Sequence, residues 1–190
     1  MNNEIKSLED IKTIKKLMEE STRFLSLSGL SGVLAGVMAL AGALIAWLFV
    51  DDPWFLIMVA AVVLVLSLSF AFFLSVKKAK RDGKHFWTPV SKKMLVHLFI
   101  PLATGGTMAL VFMIQGNTQL VVPVFLIFYG LALVNAAKYT LGEIFYLGIL
   151  EIITGLVLMV FPAGWLIGWS FGFGLLHVVY GMVMHGKYGR

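Results

Sequence analysis

The chain reads as an all-α polytopic membrane protein, a bundle of six transmembrane helices behind a short amphipathic helix. Three observations predict this. First, 59% of the 190 residues are hydrophobic and only 13% are charged, where a soluble domain carries about 25% charged residues; mean hydropathy is +0.92. Second, the apolar runs reach the roughly 20 residues that a helix needs to cross a bilayer. Third, all fifteen Lys and Arg residues fall in the N-terminal segment, the second and fourth interhelical loops or the C-terminal tail. Under the positive-inside rule that asymmetry places both termini in the cytoplasm. It also accounts for the net charge of +5 without a nucleic-acid partner. The predicted organisation is a cytoplasmic amphipathic helix over 1–23 and a transmembrane domain over 24–190, with spans near 24–50, 54–76, 94–114, 120–137, 144–161 and 165–184.

Residues 3–22 carry a capping-box spacing at Ser7 and Asp10, and Ile11, Ile14, Met18 and Leu25 fall near one face. The segment suits a helix lying on lipid headgroups or a docking site for a partner protein. No short apolar core with a small-residue cleavage site is present there, so the first span is expected to direct insertion.

In that first span Ser28, Gly32 and Gly36 recur every four residues, as do Ser31, Ala35, Ala39 and Ala43. Small residues at this spacing let a second backbone approach closely. The neighbour is another helix of the same chain or a second copy, which would make a homo-oligomer. Asp51, Asp52 and Pro53 end the run, and Trp47 and Trp54 sit where interfacial aromatics belong. The second span is almost featureless and is expected to face lipid, its Ser67, Ser69 and Ser75 bonding to the preceding turn. The loop after it holds Lys77, Lys78, Lys80, Arg81, Lys84, Lys92 and Lys93 with Phe86 and Trp87 among them. Such a mixture serves topology or contacts anionic lipid headgroups.

The third span places His97, Pro101 and Gly105 four residues apart, and the fourth ends on Asn135 before Lys138. In the fifth, Gly148, Glu151 and Gly155 share a face; in the sixth, Gly164, Gly168 and Gly172 make one stripe and Gly174, His177 and Gly181 another. Both faces of the sixth are therefore built for contact.

At about 1.5 Å of rise per residue, Glu151 and His177 each lie about 12 Å from the cytoplasmic ends of their spans, while His97 and Asn135 lie about 5 to 6 Å deep. Four polar side chains are thus expected in the cytoplasmic half. A carboxyl at mid-helix costs on the order of 2.5 to 3.5 kcal/mol on insertion scales, so it turns inward to a partner. The partner predicted here is His177. The pair serves either as a hydrogen bond that fixes the register of the last hairpin or as a proton, ion or ligand site.

The chain has no cysteine, which removes disulfides, thiolate metal sites and cysteine nucleophiles. No close-spaced metal-ligand motif, no G-x-S-x-G elbow and no phosphate-binding fingerprint occurs. A haem between His97 and His177 is disfavoured by their offset of about 6 Å in depth. No metal, cofactor or catalytic residue is therefore expected.

The run MEESTRFLSLSGLSGV, Met18 to Val33, with the hydropathy of the whole chain, resembles an uncharacterised family of small multipass membrane proteins common in Bacteroidetes. That resemblance implies a bacterial inner membrane and no particular activity. The segment Gly148 to Gly181, with GILEIITGLVLMVFP and GFGLLHVVYG, is similar to acid-resistance membrane proteins of the HdeD type, which implies a stress role. The expected function is a non-enzymatic accessory, scaffold or stress-response protein. The alternative is a small transporter or channel-like protein that moves protons or a small solute past Glu151 and His177.

Overall fold

The computed structural model describes residues 11, 24, 26–49 and 52–189. The predicted helix over 3–22 lies outside these residues, Ile11 apart. Among the described residues the fold is wholly helical, and six helices are long and apolar enough to span a membrane. They are α1 (Gly29–Leu48), α2 (Pro53–Arg81), α3 (Pro89–Ile114), α4 (Val121–Ala136, within a continuous span Thr118–Tyr139), α5 (Glu143–Val160) and α6 (Pro162–Tyr188). Short 3-10 turns, Thr118–Leu120 and Ala137–Tyr139, flank α4.

Local chemistry sets several of these boundaries. Asp52 caps α2 by accepting from the amides of Trp54 (3.0 Å) and Phe55 (3.2 Å), with Pro53 in the first turn. Thr88 and Ser91 form a reciprocal capping box that starts α3 at Pro89, ahead of the expected position 94. α2 runs on to Arg81 because Lys78, Lys80 and Arg81 suit the negative end of a helix. It stops at Gly83, whose φ of +66° takes the left-handed conformation that a helix C-terminus favours.

The first span starts later than residue 24. Phe24 and residues 26–28 are not helical, because their backbone is bonded elsewhere. The Phe24 amide donates to the Tyr139 carbonyl at 2.7 Å, and Thr140 Oγ1 donates to the Phe24 carbonyl at 2.5 Å. Lys78 Nζ donates to the Leu27 carbonyl at 3.0 Å, and the Ser28 amide meets Ser75 Oγ at 3.4 Å. This strap ties the start of α1 to the end of α4 and to α2. Together with the ion pair between Lys187 and Glu143, it gathers the basic residues at one end of the bundle.

Glycine sets the packing. A Cβ at Gly36 would lie 2.6 Å from the Gly174 carbonyl oxygen, and one at Gly32 would lie 3.1 Å from Gly181 Cα. The small-residue stripe of α1 therefore rests on α6 of the same chain. α4 and α5 meet as closely, since a Cβ at Gly130 would fall 2.5 Å from the Gly148 oxygen and one at Gly155 2.8 Å from the Pro123 oxygen. α6 stands between these pairs. Its Gly168 faces Leu158 of α5 and its Gly172 faces Leu126 of α4, while Gly174 and Gly181 face α1.

Candidate functional site

The buried polar site lies where α4, α5 and α6 meet. With Gly148 and Gly155 pressed to the α4 backbone, the turn of α5 between them carries Glu151 inward, and none of its surface is exposed. Facing it, a Cβ on Gly172 would sit 2.6 Å from Glu151 Oε2 and 2.5 Å from Leu126 Cδ2. Only a glycine leaves room for the carboxyl there.

His177 is also buried, and its Nδ1 lies 3.3 Å from Glu151 Oε1. The same nitrogen is 3.1 Å from the Gly172 carbonyl oxygen. Because a carbonyl only accepts, Nδ1 carries a proton and donates it to Gly172. That direction of the N–H leaves both oxygens of Glu151 without a hydrogen-bond partner. On the other edge of the ring, Nε2 lies 2.7 Å from the Tyr129 hydroxyl of α4. With Nδ1 protonated and the imidazole neutral, Nε2 accepts from Tyr129; with the imidazole charged, it donates.

The backbone of α6 makes this geometry. Residues Ser170–Leu176 form a π-helical stretch between two α-helical parts. On a continuous α-helix, residues five apart are about 140° apart around the axis. The i to i+5 bonding of a π-helix brings them back to about one turn. His177 thereby turns its ring over Gly172 and toward α4 and α5, although Gly174 and Gly181, which bracket it in sequence, face α1. Phe173 and Trp169 close the site: Tyr129 lies 5.4 Å from Phe173 between ring centres, and Phe173 lies 4.9 Å from Trp169. Trp169 Nε1 in turn donates to the Ala39 carbonyl of α1 at 3.0 Å.

His97 and Asn135 do not join the pair. His97 is exposed on α3, stacked on Tyr139 with ring centres 4.9 Å apart and its Nε2 2.8 Å from the Tyr139 hydroxyl. Asn135 is half-buried on α4 and makes no side-chain hydrogen bond to Glu151 or His177. Tyr129 is the member that sequence reasoning missed. Its signal was present: it stands eight residues before position 137, so the same rise places it about 12 Å deep, level with Glu151 and His177. A phenol in an apolar run does not attract notice as a carboxylate does. No group of three His, Asp or Glu side chains among the described residues is arranged to hold a metal ion.

The basic residues in the last turns of α2 and beyond it divide. Lys78 is half-buried on the strap at Leu27, and Arg81 reaches Asp82 (3.4 Å) and the Gly189 carbonyl (3.5 Å). Lys80 and Lys84 line a groove together with His85, a residue that sequence reasoning passed over. Lys77, Lys92 and Lys93 are exposed and lie outside that groove.

Fold and site together define a multipass α-helical membrane protein with a cluster of buried polar side chains inside the bundle. No family model matches the chain, and no curated protein and no solved structure matches it.

Proposed function

We propose that the chain is a non-enzymatic accessory or stress-response protein of a bacterial inner membrane, its termini cytoplasmic, and that Glu151, His177 and Tyr129 form a proton-holding latch among α4, α5 and α6. The observation that carries this reading is the Glu151 carboxyl, fully buried, without a hydrogen-bond partner and 3.3 Å from a histidine that is itself bonded to a tyrosine. A buried ionic group is stable only when it is compensated. With one proton beyond that on Nδ1 the pair carries no net charge, as a carboxylic acid beside a neutral imidazole or a carboxylate beside an imidazolium, and loss of that proton leaves an uncompensated carboxylate where the three helices meet. A role in acid stress fits such a latch, as the HdeD-type resemblance implies.

The latch reading is preferred to transport because the far half of the bundle offers few polar stations. Thr104, Thr107 and Thr154 each donate to a carbonyl four residues back in their own helix, at 2.9, 2.9 and 2.8 Å; the first two are exposed and Thr154 is half-buried. Such hydroxyls are satisfied within the helix and do not extend a path.

The test is proteoliposomes with an enclosed pH dye, paired with thermal unfolding across pH. The latch predicts no proton flux above that of empty liposomes. It also predicts a melting temperature that varies with pH in the wild type and loses most of that variation in Glu151→Gln. Robust flux abolished by Glu151→Gln would put the transport reading in its place. A pH profile unchanged by the substitution would refute the latch.

A further inference from the structure

A groove of about 300 Å3 opens at the basic end of the bundle, between the last turns of α2 and the loop that follows it. Phe72, Val76 and Lys80 line one side. They are four residues apart and form a stripe about 12 Å long on α2, apolar at its inner end and cationic at its outer end. Lys84, His85 and Trp87 line the other side. The chain reaches this position because Gly83, in the left-handed conformation, reverses it: the Gly83 amide donates to the Lys80 carbonyl at 3.1 Å and the Lys84 amide to that of Ala79 at 2.8 Å. Aromatic contacts hold the returning loop to the helix. Phe86 meets Phe72 edge-on at 5.2 Å and Trp87 at 5.3 Å, and from behind it is braced by Phe24 at 5.2 Å.

We propose that this groove binds one anionic phospholipid, with the phosphate between Lys80 and Lys84 beside His85 and the first part of an acyl chain against Val76, Phe72 and Trp87. Charge complementarity argues for the phosphate. The single acidic residue among positions 77–93, Asp82, is turned to Arg81 at 3.4 Å, and among the described residues the side chains of Lys80 and Lys84 make no ion pair or hydrogen bond that would occupy them. The apolar half argues for a lipid over a soluble phosphate ester, which would leave Phe72 and Val76 bare. Phe72 on α2 and Trp87 on the returning loop are 50% and 59% exposed, and only 6% of the α2 span is buried within the bundle; tryptophan favours the headgroup level. The proposal is independent of the latch at Glu151.

Native mass spectrometry of the full chain in detergent tests it, titrating dioleoylphosphatidylglycerol and, separately, dioleoylphosphatidylcholine. One phosphatidylglycerol should be retained in preference to phosphatidylcholine. At about fivefold per lysine near an anionic group, the double variant Lys80→Gln, Lys84→Gln should weaken that binding about thirty-fold. The control Lys92→Gln, Lys93→Gln removes the same charge outside the groove and should change binding less than about threefold. All four lysines are exposed, so both proteins should fold, and an unchanged melting temperature verifies it. Equal affinity for the two lipids overturns the proposal. So does an equal loss in both double variants, which would mean diffuse surface charge, and so does displacement of the lipid by equimolar glycerol 3-phosphate.

Discussion

α2 and α4 differ in a direction opposite to the rule for soluble proteins. The more apolar helix is the less buried: the α2 span has a mean hydropathy of 2.8 with 6% of its window buried, and the α4 span 2.3 with 44% buried. In water, apolar surface drives burial. In lipid the tails are as apolar as leucine, so helices associate where backbones approach closely or polar groups pair. α2 contains no glycine. α4 has Gly130 against the α5 backbone and Tyr129 bonded to His177 of α6. The interior of this protein is thus marked by small and polar residues, and its exterior by large apolar ones.

The contrast can be broken most severely at a glycine contact. A Cβ at position 181 would fall 2.8 Å from the Gly29 oxygen and the Gly32 carbonyl carbon, so Gly181→Leu drives α6 off α1. We expect a loss of about 3 kcal/mol or more, seen as a sharply lowered melting temperature or a failure to accumulate folded protein. Removing one hydroxyl from the site is a smaller change. Tyr129→Phe keeps the ring and deletes the partner of His177 Nε2, for an expected loss of about 1 kcal/mol in thermal unfolding, and the nitrogen-15 shift of that ring nitrogen should move. The smallest effect belongs to the lipid-facing helix. Leu64 is 56% exposed on α2, and Leu64→Ala should alter stability by no more than about 0.5 kcal/mol, despite a side-chain deletion larger than that in Tyr129→Phe. A loss at Leu64 comparable to that at Gly181 would mean that α2 is covered by another protein surface.

Legibility from sequence followed the range of the interactions concerned. Glu151 and His177 share a depth because the rise per residue is constant, and their side chains meet at 3.3 Å. The same count left His97 and Asn135 shallower; His97 then finds Tyr139, which a 3-10 turn after α4 brings beside α3. The stripes on α6 were readable as two contact faces, since a glycine spacing shows that something approaches. It does not show what. The start of α1 was misplaced because the hydrogen bonds that keep residues 24 and 26–28 out of the helix come from Tyr139, Thr140, Lys78 and Ser75, all distant in sequence.

Sequence by itself determined the six apolar helices, for a physical reason: in a bilayer each spanning segment must satisfy its own backbone hydrogen bonds, so its length and composition decide its structure locally. The assignment of each glycine stripe to a neighbour, the entry of Tyr129 into the site and the turn of His177 toward Glu151 were decided by tertiary structure alone. The last depends on the π-helical stretch Ser170–Leu176. No local preference requires that stretch, and the contacts of α6 with α1 on one face and with α4 and α5 on the other are what hold the ring in place.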